Sequence, residues 1–280
     1  MADTSPNRVM LVMAHPDDAE FSSAGTMAKW AAAGMEITYV IITSGDKGSD
    51  DPDMTPEKLV EIREEEQRAA ARVLGVKEVI YLRCPDGGVD DTPELREKIV
   101  RLMRVHQPDT LVTMDPLRRY NQHRDHRMAG TVALDAAFPY SRSHLYYPQH
   151  IAEGLRPCKI YEAYIAGAEN SNVEVNISET FEKKIQALRC HVSQVPNLPE
   201  EEFKNHMIEM SKRMSGNAEG GHLRERFRRI EWRSRDRDGR TPPVLPDVPP
   251  SSAGSEGAIS EVMTPPIVEA LSEGELPRES

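Results

Sequence analysis

Strand-length apolar runs alternate with helix-length stretches along the first half of the chain, and few architectures accept that alternation. Residues 7–14 (NRVMLVMA), 35–43 (MEITYVIIT), 76–82 (VKEVIYL) and 109–114 (DTLVTM) are apolar and rich in β-branched side chains. Between them lie stretches of helical length. One is capped by Ser22 or Ser23 and ends at Gly34; one covers 55–74 before Gly75; one covers 92–106, with Thr92 as cap and Pro93 at its first position; one covers 124–138. The expected fold class is therefore α/β, a Rossmann-like three-layer domain with a mainly parallel sheet. Such sheets bind ligands beyond the carboxyl ends of their strands. Chemistry is expected in the segments after the first, second and fourth strands.

Past residue 140 the pattern thins. Residues 158–167 and 173–177 read as further strands, and 178–191 and 200–215 as helices. Residues 223–240 suggest a basic helix anchored by Leu223, Phe227, Ile230 and Trp232. The last forty residues hold 8 of the 21 prolines and no aromatic side chain, a composition expected to stay disordered. Three parts follow: a domain over 7–195, a helical basic extension over 196–240, and an acidic, proline-rich tail over 241–280.

Charge and cysteine content exclude several classes of function. Lys and Arg number 35 against 46 Asp and Glu, a net charge of −11. An acidic body is a poor ligand for a phosphate backbone, so no nucleic-acid partner is expected. The exception to weigh is 211–240, where ten basic residues are interleaved with five acidic ones. No apolar run approaches the length of a membrane span, and the first residues lack the pattern of a secretory signal. The three cysteines are scattered and unpaired in pattern, which fits a reducing, cytoplasmic location. A homo-oligomeric assembly is compatible with all of this.

Two polar segments stand where the sheet should bind. AHPDDAE (14–20) follows the first strand directly, and NQHRDHR (121–127) follows the fourth. His15 and Asp18, three apart around Pro16, can point into one cavity with Asp17 beside them. Nitrogen and oxygen donors of this kind suit zinc, whose catalytic sites use three protein ligands and keep one position open. The third ligand must come from elsewhere, and the second segment offers His123 and His126 with Asp125 between them. GDKGSDD (45–51) matches no phosphate-binding pattern and reads as a mobile pocket rim.

The two segments together resemble the LmbE-like (PIG-L) family of zinc-dependent N-deacetylases, whose signature pairs an AHPDDxE loop with a later HxDH loop. IREEE (62–66), LGV (74–76), CPDGG (84–88) and HVSQ (191–194) resemble the family as well. The likeness spans roughly residues 7–195. It implies that His15, Asp18 and His126 are the metal ligands, holding Zn2+, and that Asp17 is the general base. It further implies that His123 stabilises the oxyanion or protonates the leaving amine, that Asp125 orients an imidazole, and that Arg63 faces the substrate.

The physics of amide hydrolysis accommodates those roles. Zinc brings a water near neutral pKa, a carboxylate takes its proton, and the metal with an imidazolium offsets the charge on the carbonyl oxygen. The expected activity is removal of an N-acyl group, an acetyl by preference, from a small amino sugar or glycoconjugate. Two alternatives stay open: an amidase acting on a larger thiol–sugar conjugate at the same site, and a metal- or sugar-binding module without catalysis. Two further residues carry weaker expectations. The 55–74 helix has an apolar stripe of Leu59, Ile62, Ala69 (or Ala70) and Val73, which places Glu66 inward with Arg63 as its partner. His191 either lines the pocket mouth or ends a helix.

Overall fold

A computed structural model describes residues 7–120, 123–215 and 223–232. In chain order they form β1 (Arg8–Met13), α1 (Asp18–Ala32), β2 (Glu36–Thr43), α2 (Pro56–Leu74), β3 (Glu78–Cys84), α3 (Pro93–His106), β4 (Thr110–Met114) and α4 (Arg124–Asp135). There follow α5 (Pro148–Ala152), β5 (Glu162–Ala166), β6 (Val173–Asn176), α6 (Phe181–Leu188), α7 (Glu200–Ser215) and β7 (Arg224–Glu231). The strands make one sheet in the order β3-β2-β1-β4-β5-β7-β6. The first five in that order run parallel; β7 lies antiparallel between β5 and β6.

Helix starts follow the caps read from the sequence. The Thr55 and Thr92 hydroxyls accept the backbone N–H of Lys58 (3.3 Å) and Leu95 (3.2 Å), each with proline at the next position. Along β1, side chains alternate between two cores, as the pleat of a strand requires. Val9, Leu11 and Met13 meet α1, α2, α6 and α7, whereas Met10, Val12 and Ala14 meet α3 and α4. Three layers result, with the central strand buried on both faces. Among the described residues no helix is long and apolar enough to cross a membrane.

Three sequence expectations are corrected. The basic helix over 223–240 is instead the strand β7 over Arg224–Glu231. Two-residue alternation prevails there: Glu225 and Phe227 point inward, and two strands stand ready to pair. Its arginines are engaged locally, Arg224 and Arg226 with Glu174 and Arg229 with Glu162. Phe203 and Met207 of α7 and Phe227 of β7 belong to the same core as β1, so α7 and β7 are built into the sheet and its covering layer. Helix α1 begins at Asp18, ahead of the two serines expected to cap it. Helix α2 presents Leu59, Arg63, Glu64, Gln67, Ala70, Ala71 and Leu74 to the interior, a face rotated from the apolar stripe. The proline-rich segment 241–280 lies outside the described residues.

Candidate metal centre

β1 sits between β2 and β4, the point at which the strand order reverses. The loops leaving β1 and β4 diverge around a crevice there, the usual ligand site of an open α/β sheet. His15, Pro16 and Asp17 occupy the first loop, Asp18 opens α1, and His123 precedes α4, which carries Asp125 and His126 in its first turn. Two helix starts thus converge across 111 residues of sequence.

Three side chains form a compact triangle of donors, Asp18 turning one oxygen to each histidine. His15 Nδ1 is 3.3 Å from His126 Nε2 and 3.5 Å from Asp18 Oδ2, and His126 Nε2 is 3.1 Å from Asp18 Oδ1. Atoms bound to one tetrahedral ion at about 2.0–2.1 Å stand about 3.3–3.4 Å apart, so the triangle fits such an ion. The other face of the His15 ring supplies a second test. Its Nε2 lies 3.2 Å from Asp125 Oδ2 and 3.1 Å from Asp86 Oδ1, the carboxylate support that orients metal-binding imidazoles. Asp125 is itself fully buried and accepts the N–H groups of Gly87 (2.7 Å) and Val89 (3.1 Å). It therefore locks the loop after β3 to His15. His123 stands at the exposed mouth, its ring 4.4 Å from that of His126 and nearly parallel to it, and 4.6 Å from that of His15. The donor atoms of His15, His123 and His126 all fall within 4.8 Å of one another, so His123 is a fourth donor beside the triangle.

Charge in the crevice is unevenly distributed. Burial, and then the neighbouring charge of Asp18, push Asp17 up to about 7, against the pull of the Arg63 guanidinium. Burial also disfavours a charge on Asp18, but hydrogen bonds with His126 and His15 hold it below the ordinary carboxylate range. For His15 burial again opposes charge, and bonds to Asp18 and Asp86 carry it up to about 10. Burial, with His126 and His15 close by, lowers His123. This shift disfavours the imidazolium form of His123.

Arg63 lies beside Asp17, buried under the loop after β2. Only 4% exposed, it donates to the carbonyls of Gly45 (3.0 Å) and Pro16 (2.8 Å) and to Asp17 Oδ2 (3.2 Å). Glu66 points away from it and binds the backbone N–H and hydroxyl of Ser193 (2.8 and 2.6 Å). His191 is fully buried, with Nε2 3.3 Å from Glu20 Oε2, rather than lining the mouth. The sequence reading missed Asp86, which also receives the Lys47 N–H at 3.2 Å and whose carbonyl accepts from the Lys47 ammonium. Its signal was present in CPDGG, a polar turn after a strand. A cavity of about 290 Å³ lined by Arg8, Asp109, Arg156 and Tyr161 opens at the other end of the sheet and contains none of these groups. The donor set and the topology, not cavity size, identify the site.

Residues 10–137 match the family described as PIG-L: GlcNAc-PI de-N-acetylase. The diacetylchitobiose deacetylase of Thermococcus kodakarensis is 31% identical over 189 residues, covering 68% of this chain and 70% of that protein. The 1D-myo-inositol 2-acetamido-2-deoxy-alpha-D-glucopyranoside deacetylase of Mycobacteroides abscessus is 27% identical, covering 67% and 81%. Among solved structures, the N,N'-diacetylchitobiose deacetylase of Pyrococcus horikoshii, complexed with its inhibitor, superposes with a TM-score of 0.75 at 28% identity, covering 80% and 84%.

Proposed function

Since the chain belongs to the PIG-L family of de-N-acetylases, we propose that it hydrolyses the acetamido group of an N-acetylated amino sugar, with zinc held by His15, Asp18 and His126. The observation that carries the reading is the triangle of donor side chains, their donor atoms 3.1–3.5 Å apart, at the switch point of the sheet. Zinc supplies Lewis acidity there, polarising an amide carbonyl and lowering the pKa of a water to about 7.

The chain's own residues do the remaining work. Asp17 takes the proton of the attacking water; a carboxylate titrating near 7 is well matched to that task at neutral pH. Arg63 occupies its Oδ2, and Oδ1 is assigned to the moving proton. His123, at the mouth, offers a ring N–H to the oxygen that gains charge, and the departing amine takes up the proton that Asp17 removed from the water. Asp125 and Asp86 hold the His15 ring, so that Nδ1 faces Asp18 and His126. Arg63, almost wholly buried, serves by holding Asp17 and the loop rather than by touching the sugar. The relatives' names share an N-acetylated sugar and differ in what it is joined to, so the acetamido sugar is the part carried over.

The test is amine release from a panel of N-acetylated sugars and sugar conjugates, with metal content measured on the same samples. Release of acetate in proportion to bound metal supports the proposal. Metal-loaded protein that cleaves no amide in the panel refutes it.

A further inference from the structure

The backbone of Asp17 is held where a side chain is rarely found. Its φ is 95°, a strained conformation for a residue other than glycine, kept only when the surroundings enforce it. The enforcing contacts come from one face of α2. One turn beyond Arg63, the fully buried Gln67 accepts the Asp17 N–H through Oε1 at 3.0 Å. Its Nε2 donates to Glu20 Oε1, also at 3.0 Å, and Glu20 is fully buried in the first turn of α1. The other Glu20 oxygen faces the buried His191.

This arrangement has a built-in polarity. An amide can turn over and exchange its donor and acceptor ends, because the two have nearly the same shape. Turned over here, Gln67 would set its NH2 against the Asp17 N–H and its oxygen against a carboxylate. Glu20 forbids that, since a carboxylate in this position requires a donor. An acidic side chain three residues after Asp17 thus ensures, through Gln67, that the Asp17 amide always meets an acceptor.

We propose that Gln67 and Glu20 are positioning residues for the reaction: the pair holds Asp17 in its strained conformation and so fixes where its carboxylate meets the reacting proton. This rests on the reading of Asp17 as general base. Displacing a reacting group by 1 Å costs about a hundredfold in rate, so a pair with no substrate contact can govern turnover.

Two variants test it. Gln67→Met keeps the volume and removes the acceptor; the double variant Glu20→Gln with Gln67→Glu reverses the polarity yet restores an acceptor for Asp17 N–H and a donor between the two side chains. Gln67→Met should lower kcat per bound metal by about ten- to a hundredfold with KM within twofold of wild type, and its crystal structure should show φ of Asp17 returned to negative values. The double variant should recover kcat to within about threefold of wild type and keep the positive φ. A purely structural role would lower folded protein or bound metal and leave kcat per bound metal unchanged, which would overturn the proposal. So would a Gln67→Met structure with Asp17 still near 95°, or a double variant as slow as Gln67→Met. The φ readout stands even if no acetylated sugar is a substrate, so failure of the proposed activity and failure of the positioning pair are distinguishable.

Discussion

Replacing Gly130 by alanine should damage the site from one helical turn away. Gly130 lies in α4 four residues after His126, on the face turned toward the end of β4. A β-carbon there would stand 2.3 Å from the carbonyl oxygen of Met114 and 3.0 Å from Pro116, whereas ordinary contact begins near 3.4 Å. These are mainly backbone atoms and cannot swing aside as a flexible side chain could. The helix must therefore retreat by about 1 Å, in an interior packed too tightly to absorb the shift elsewhere. Alanine ordinarily stabilises a helix interior by about 0.5–1 kcal/mol over glycine, while overpacking costs about 1–3 kcal/mol. The second effect prevails, for a net loss of about 1 kcal/mol. The functional cost is larger, because His126 rides on the same helix and its nitrogen sits 3.1–3.3 Å from its two partners. We expect metal affinity and kcat/KM each to fall by about ten- to a hundredfold. Denaturant melts, chelator competition and turnover are the assays. A Gly130→Ala protein more stable than wild type with unchanged metal affinity would refute the argument that close approach of α4 to β4 sets the ligand geometry.

Other perturbations separate the roles. Asp17→Asn should cut turnover by about 10²–10⁴ while zinc content stays at the wild-type level, as measured by elemental analysis beside the activity assay. Asp125→Asn should weaken metal binding by about ten- to a hundredfold, read by chelator titration, since the His15 ring loses its anchor and two backbone N–H groups lose a charged acceptor. Glu64→Gln probes pH dependence, because hydrogen bonds from Arg83 hold the Glu64 carboxyl below its ordinary 4.5. The carboxylate's contribution is complete above the unfolded value near 4.5 and is lost as pH falls through its lower folded value. The variant should thus be less stable by about 1 kcal/mol at pH 7, the arginine partners facing solvent, and the difference should shrink below pH 4.5 in urea melts.

Much of the fold was legible because local and global signals agree in the first half of the chain. Thr55–Pro56 and Thr92–Pro93 start helices where they stand, and β1, β2 and β4 are apolar enough to be buried on both faces. The pairing of AHPDDAE with HRDH was legible because strand ends on a parallel sheet share one edge. The missed features share a physical cause: buried polar side chains whose partners are remote in sequence. Helix α2 turns Arg63, Glu64 and Gln67 inward, so hydrophobic periodicity pointed to the wrong face. Glu225 reads as a surface charge, yet it is buried in β7, where it accepts the N–H groups of Gly25 and Thr26 and pairs with Lys184 at 2.7 Å. With the basic partner of Glu225, Lys184, 41 residues away in sequence, the segment's alternation was overshadowed by its arginines.

Location of the metal tests the central claim most directly. Anomalous scattering at the zinc edge, recorded from crystals of zinc-loaded protein, should give one strong peak within bonding distance of His15 Nδ1, Asp18 and His126 Nε2, and His126→Ala should abolish it. A peak on the opposite side of the His15 ring, between Asp86 and Asp125, or no ion near His126, would contradict the account.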